Sequence, residues 1–317
     1  MKILVTGAAG QIGSELVPAL RERYGTESVI PLYHHTIPKG IEKPYIIGDA
    51  TDKDFLFGAI KDNEIDVIYH LVGILSAKGE KDPDLAYSVN MGSLKNVLDI
   101  ARWLKENGKP IKVFWPSSIA AFGPTTPRDK TPQHTVLEPS TMYGVTKVAG
   151  ELLVNYYFKK FGIDTRSVRY PGIISWKTPP GGGTTDYAVE IFHEALKNKS
   201  YTCFLNKGTY LPMMYMDDAI RGTIELMEAE PSRIKVRTSY NIAAVSFAPE
   251  HIAEEIAKHI PGFRISYNPD FRQQIADSWP RSIDDSAARS DWGWSHRYGL
   301  KEIVEAMLSN LKRELNL

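Results

Sequence analysis

The chain has 317 residues, 43% hydrophobic and 24% charged, a globular composition that excludes disordered and collagen-like chains and can build a full-sized core. Lysine and arginine total 38 against 38 aspartates and glutamates, so no surplus positive charge is available for a phosphate backbone and nucleic acid is not an expected partner. The single cysteine, Cys203, rules out an internal disulfide or a multi-thiolate zinc site, and no run approaches the roughly 18 apolar residues of a membrane span; no metal and no membrane are expected, and a soluble, cytoplasmic protein is.

In chain order, Lys2 to Thr6 reads as a buried strand, and Gly7, Gly10 and Gly13 then open a helix carrying Ile12, Leu16, Val17 and Leu20 on one face. Further strand candidates are Ser28 to Tyr33, Tyr45 to Gly48, Val67 to Leu71, Lys112 to Ser117 and Thr165 to Tyr170, with helical patterns between several of them. That alternation predicts an α/β fold: a Rossmann-type doubly wound parallel sheet covered on both faces. Asp82 and Pro83 mark the start of a long helix whose face is Leu94, Val97, Leu98, Ala101 and Leu104, ending before Gly108 and Pro110, and a second long helix runs from about Ser140 to Gly162. Beyond Tyr170 the texture becomes irregular. A smaller C-terminal α/β substrate lobe is expected there, from residues 171–207 and 243–317. Residues 1–170, with strands returning at about 208–242, form the dinucleotide-binding part.

A G-x-x-G-x-x-G pattern between a strand and a helix is the context in which backbone amides and a helix dipole hold a pyrophosphate. Dinucleotide folds place an acid about 20 residues further on, for the ribose hydroxyls. Counting from Gly13 reaches Tyr33, with His34, His35 and Lys39 as the nearby polar groups, so this segment leaves NAD and NADP both open. Adjacent histidines on a strand point to opposite faces, which favours a solvated strand end over a metal pair. Asp49 either accepts from an adenine amino group or caps the loop at Thr51.

Tyr143 and Lys147 are four residues apart at a helix start, on one face. An ammonium about 4 Å from a phenol, at an effective dielectric near 20, is worth roughly 4 kcal/mol or about 3 pKa units, which brings phenolate towards neutrality and makes Tyr143 a general base. Tyr156 and Lys160 repeat the spacing, but about 220° around the helix, so Tyr156 is expected in a core or an interface. Ser118 is expected to end the fifth strand, at the carboxyl edge where such sheets bind ligands; it either holds a substrate oxygen or caps a turn. Thr184, Thr185 and Asp186 precede the helical pattern Ala188, Ile191, Phe192 and Ala195, and serve either as a plain N-cap or as partners for a carboxylate and an ammonium. Ser76 is a further hydrogen-bonding candidate, Trp279 beside Pro280 a pocket wall or ordinary packing, and Asp217 and Asp218 read as helix caps.

Together Gly7, Gly10 and Gly13, Asp49, Asn90, Ser117 to Gly123 and Tyr143 to Lys147 resemble the extended short-chain dehydrogenase/reductase superfamily over essentially the whole chain. More narrowly, His70 to Glu80, Thr141 to Lys147, Arg169 to Ser175, Gly183 to Glu190, Leu211 to Met216 and Trp279-Pro280 are similar to the short-chain L-threonine 3-dehydrogenases. The resemblance implies NAD-linked oxidation of the threonine β-hydroxyl to 2-amino-3-oxobutyrate, with Tyr143 as base, Lys147 lowering its pKa and holding the nicotinamide ribose, Ser118 orienting the hydroxyl and Asn90 in a supporting proton network. It implies coenzyme contacts at Gly7, Gly10, Gln11, Ile12, Gly13, Asp49, Ala50, Leu71, Gly73, Tyr143, Lys147 and Tyr170. Substrate contacts are implied at Ser76, Ser118, Tyr143, Thr184, Thr185, Asp186 and Trp279, and a homodimer through the two long helices.

The competing enzyme class is a nucleotide-sugar epimerase or dehydratase, which needs a diphosphate grip. Lys177, Lys197, Lys207, Arg221 and Arg237 are available for it but form no compact motif. A non-enzymatic dinucleotide sensor is the third reading; it has no use for the set Ser118, Tyr143 and Lys147.

Overall fold

The computed structural model describes residues 1–35 and 37–315. Its strands are β1 Ile3–Thr6, β2 Val29–Tyr33, β3 Ile46–Ile47, β4 Val67–His70, β5 Lys112–Phe114, β6 Ser117–Ser118, β7 Asp164–Arg166, β8 Val168–Tyr170, β9 Gly172–Ile174, β10 Ser200–Cys203, β11 Leu211–Tyr215, β12 Tyr240–Asn241, β13 Val245–Phe247 and β14 Arg264–Tyr267. The helices are α1 Gly13–Tyr24, α2 Lys53–Asp62, α3 Ser76–Lys81, α4 Pro83–Glu106, α5 Met142–Phe161, α6 Tyr187–Asn198, α7 Met216–Glu228, α8 Pro249–His259, α9 Arg272–Asp277, α10 Ser286–Trp292 and α11 Leu300–Glu314.

A six-stranded sheet in the order β3-β2-β1-β4-β5-β7 forms the centre, and every neighbouring pair in it is parallel. Every residue of β1 and β2 is buried, as apolar runs must be when helices cover both faces. The order reverses between β1 and β4, which opens a crevice at their carboxyl ends. Three smaller sheets complete the architecture, β12-β8-β6, β13-β11-β9 and β10-β14. The α6 face expected at Ala188, Ile191, Phe192 and Ala195 is fully buried and packs with α8 and α11 in a second core.

The two long helices form for local reasons. The Asp82 carboxylate accepts the Leu85 amide at 3.0 Å and Pro83 sits in the first turn of α4. Thr141 Oγ1 accepts the Gly144 amide at 3.1 Å, and α5 stops at Gly162, left-handed at φ 65°. Two expected strands are broken. Trp115 still donates to the Arg166 carbonyl at 3.0 Å, but Pro116 has no N–H to continue the ladder. Ser117 and Ser118 pair instead with Arg169 and Tyr170, so Ser118 closes β6 rather than the fifth strand. The run Thr165 to Tyr170 likewise divides into β7 and β8 around Ser167, in two different sheets.

Asp217 and Asp218 do not cap α7, which has no side-chain cap. Asp218 is fully buried and binds Arg221 together with the amides of Arg297 and Tyr298, pinning the C-terminal segment to α7. Among the described residues no helix is long and apolar enough to cross a membrane.

Candidate active site

The glycine turn after β1 is shaped by close backbone approach. Gly7 has φ +68°, and a Cβ there would meet the Leu71 carbonyl carbon and the Val72 nitrogen, each at 2.9 Å. A Cβ on Gly13 would lie 2.5 Å from the Gly7 oxygen, and one on Gly10 3.2 Å from the same atom. Only glycine lets α1 start this close to the strand; the Ser14 and Glu15 amides close onto the Gly10 and Ile12 carbonyls, which leaves the amides of Gln11, Ile12 and Gly13 for an anion. A dinucleotide fits this turn. Across the crevice His70, at the end of β4, is fully buried between Thr6 Oγ1 at 2.8 Å and Ser93 Oγ at 3.0 Å. Burial pushes its pKa down to about 3, so it braces the turn as a neutral ring.

A cavity of about 170 Å³ opens beside the turn, lined by Gln11, Ile12, Leu71, Gly73, Ser76, Ser118, Tyr143, Lys147, Tyr170, Thr184, Thr185, Asp186 and Trp279, all expected. It also takes in Leu75, Pro116, Ser117, Ile119, Pro171, Gly172, Ile173 and Gly183, which were not expected as contacts, although all but Pro116 lie inside the segments that carry the resemblance. The volume suits a small molecule and falls below the usual range for drug-sized ligands.

Tyr143 and Lys147 face the cavity together, as four-residue spacing requires. The direction of the Tyr143 shift is a correction: burial pushes the phenol up to about 12, with only the Ser118 hydroxyl opposing. Lys147 is itself pushed down to about 7, mainly by burial, against the pull of Glu151. Its Nζ donates to the Pro116 carbonyl at 2.6 Å, lies 4.5 Å from the Trp115 ring centroid and 5.2 Å from that of Tyr143. The ammonium is therefore held by a carbonyl and an indole, with the Tyr143 ring beside it, and burial outweighs it in setting the phenol's pKa.

Behind them stands a buried ion pair that the motif search missed. Glu151, one turn after Lys147, accepts from Arg169 Nε at 2.8 Å, Arg169 Nη2 at 2.7 Å and Ser117 Oγ at 2.5 Å. Arg169 also donates to the Gln133 carbonyl and Asn241 Oδ1. One carboxylate thus ties α5, β6 and β8, the three elements that carry Lys147, Ser118 and Tyr170. The Lys147-x-x-x-Glu151 spacing was its only sequence signal.

Several expected contacts sit outside the cavity wall. Asn90, expected in a supporting proton network, is not part of the wall: its Oδ1 accepts the Ile74 amide at 2.7 Å and its Nδ2 donates to the Ile74 carbonyl and to Thr146 Oγ1, both at 3.1 Å. Asn90 holds the loop above Gly73 and, through Thr146, the Tyr143 carbonyl. Asp49 Oδ1 accepts the Thr51 amide at 2.8 Å, so the capping alternative is realised, and Ala50 is buried. Tyr156 is 52% exposed rather than in a core, and the His34 and His35 rings, beyond the end of β2, stack with centroids 3.6 Å apart instead of pointing to opposite faces.

The far wall is polar. Thr184 is buried and its Oγ1 has no partner among the described residues. Asp186 Oδ2 accepts the amides of Gly181 at 2.7 Å and Gly183 at 2.8 Å, and its side chain does not cap α6. The plain N-cap reading of this segment fails. Cys203 is buried with its thiol pushed up to about 11, which removes it as a nucleophile.

Residues 3–243 match the family described as the NAD dependent epimerase/dehydratase family. An uncharacterized epimerase/dehydratase of Staphylococcus aureus (strain USA300) is 48% identical, covering 99% of this chain and 97% of its own. Among solved structures, a GalE-like L-threonine dehydrogenase from Cupriavidus necator in its holo form is 55% identical, with 98% and 100% of the two chains covered and a TM-score of 0.95. A monomeric L-threonine 3-dehydrogenase from a metagenome, in its apo form, is 48% identical, with 99% and 100% covered and a TM-score of 0.94.

Proposed function

The chain belongs to the NAD dependent epimerase/dehydratase family, and on that footing we propose that it is an L-threonine 3-dehydrogenase, oxidising the β-hydroxyl of L-threonine to 2-amino-3-oxobutyrate. One observation carries the reading: Ser118, Tyr143 and Lys147 share a small cavity with Thr184, Thr185 and Asp186. The first three suit an alcohol to be deprotonated, the others a zwitterion. The unpartnered Thr184 hydroxyl is placed to donate to the substrate carboxylate, and Asp186, whose amide partners both use Oδ2, keeps Oδ1 for the ammonium.

The turn of Gly7, Gly10, Gln11, Ile12 and Gly13, with Asp49, Ala50, Leu71, Gly73 and Tyr170, would hold NAD, which would supply the hydride acceptor. The chain's own work is proton transfer and positioning. Tyr143, as phenolate, takes the hydroxyl proton of the substrate while the β-carbon loses its hydride, and the oxygen becomes the ketone. Ser118 orients that hydroxyl, Lys147 holds positive charge beside the phenolate and reaches the nicotinamide ribose, and Ser76 and Trp279 close the cavity against water.

The rival sugar-nucleotide reading gains nothing from the basic residues put forward for it. Lys177 pairs with Glu15 at 3.2 Å, Arg221 with Asp218 and Glu225, and Arg237 with Asp164; neither they nor Lys197 and Lys207 line the cavity. Following reduced-coenzyme absorbance with L-threonine and L-serine, and sugar products by chromatography with a UDP-sugar because an epimerase or dehydratase returns its hydride and leaves no reduced coenzyme, tests the proposal. Turnover of threonine well above serine is expected, and turnover of the UDP-sugar with threonine inert overturns it.

A homodimer through α4 and α5 is proposed on the same footing. Leu85 and Tyr87 of α4 and Val145, Leu152 and Tyr156 of α5 are each more than 40% exposed, and the α5 residues recur on one stripe opposite the site. Sedimentation at micromolar concentration is expected to give a dimer; a monomer, the state named for one solved relative, ends that proposal.

A further inference from the structure

In an open α/β sheet of this order, the adenosine end of a dinucleotide falls beside the carboxyl end of the second strand. An acid there accepts from the ribose hydroxyls and repels a phosphate in place of the 2′-hydroxyl. Here β2 ends at Tyr33, only 2% exposed and set edge-on to Tyr45 with ring centroids 6.3 Å apart. Burial pushes its phenol up, so it brings no negative charge. The next side chains are the stacked imidazoles of His34 and His35. His34, 59% exposed along its side chain, brings Nε2 to 3.6 Å from Asp49 Oδ2, while Asp49 Oδ1 holds the Thr51 amide. The carboxylate at the end of β3 is thus already engaged by a backbone donor and an imidazole, and the strand end offers ring N–H groups where an NAD-selective site offers an acceptor.

We propose that this strand end admits a 2′-phosphate, so that the chain takes NADP as well as NAD. The inference rests on the reading that the glycine turn holds a nicotinamide dinucleotide, and it deepens that reading by assigning coenzyme choice to Tyr33, His34 and His35. An imidazole donates to a phosphate oxygen whether neutral or charged, and more strongly when charged.

Binding is tested apart from turnover by titrating the protein with NADH and with NADPH and following coenzyme fluorescence, with kcat/KM for NAD and NADP measured on L-threonine beside it. The dissociation constants are expected to lie within about tenfold of each other. His34→Ala with His35→Ala, at exposed positions, is expected to weaken NADPH at least about fivefold more than NADH, and Tyr33→Asp to weaken NADPH about tenfold or more relative to NADH. NADPH binding more than about 100-fold weaker than NADH overturns the inference, as does an unchanged ratio in the double histidine variant. Tight NADH with threonine turnover but no NADPH binding leaves the dehydrogenase reading intact; both coenzymes binding with threonine inert leaves this inference and removes that reading.

Discussion

The Lys147 ammonium donates to the Pro116 main-chain carbonyl at 2.6 Å, which carries the first turns of α5 onto the bend between β5 and β6. The bond fixes Lys147 relative to Ser118, two residues beyond that carbonyl. Lys147→Met keeps most of the side-chain volume and removes both the charge and the bond. Turnover of threonine is expected to fall about 100-fold or more, with reduced coenzyme affinity in the same fluorescence titration. Turnover within about threefold of the unaltered chain contradicts the role given to Lys147.

Tyr143→Phe keeps the ring and deletes the proton acceptor. Turnover is expected to drop about 1,000-fold with coenzyme affinity changed by less than about threefold. Tyr156→Phe, on the opposite side of α5, leaves turnover unaltered. Equal losses in the two variants would remove the distinction drawn between the two Tyr-Lys pairs.

Burial holds Tyr143 up at about 12 and Lys147 down at about 7. Phenolate requires rising pH and ammonium requires falling pH. A site using both gains about tenfold in kcat/KM per unit up to about pH 7 and then levels, because each further proton lost from Lys147 cancels one lost from Tyr143. Lys147→Met has no ammonium to lose, so its weaker activity keeps climbing above pH 7. The slopes of log kcat/KM against pH decide it, and a wild-type profile that falls between pH 6 and 7 is incompatible with this pair.

Glu151 and Arg169 are 1% and 3% exposed along their side chains. Removing one partner leaves the other buried and unpaired, so Glu151→Gln is expected to cost about 3–5 kcal/mol in denaturant unfolding. Replacing both, with Glu151→Leu and Arg169→Met, is expected to cost less than the two single changes summed. Additive losses would show that the contact contributes no coupling.

His70 has a folded pKa near 3 against an ordinary value of 6.5. Between those limits the unfolded chain binds a proton that the folded chain refuses. The contribution is therefore complete above about pH 6.5 and is lost on acidification, by roughly 1.4 kcal/mol per pH unit. His70→Asn is expected to lower Tm at pH 7 yet to show a shallower loss between pH 6 and 5. An identical acid slope in both proteins assigns the loss to other groups.

Much of this molecule obeys local rules, and those parts were legible. Asp82, Thr141 and Gly162 bound the long helices because caps and stops depend on a few consecutive residues. Gly7, Gly10 and Gly13 marked the turn, and Tyr143 and Lys147 share a face because helical spacing alone puts them there. Apolar runs fixed on both faces announced the central parallel sheet.

What only the tertiary structure decided is where long-range partners stand. Asn90 holds the loop behind the cavity, Asp218 clamps the C-terminal segment and Asp186 bonds its own loop, because each carboxylate or amide took the partners that packing brought within reach, some of them tens of residues away. Pro116 and Ser167 divided two apparently continuous strands between sheets, since pairing depends on which neighbour is in reach. The Tyr143 shift took the opposite sign from that expected of its spacing to Lys147: spacing sets which groups are neighbours, but the water excluded by the whole packing sets what their charges cost.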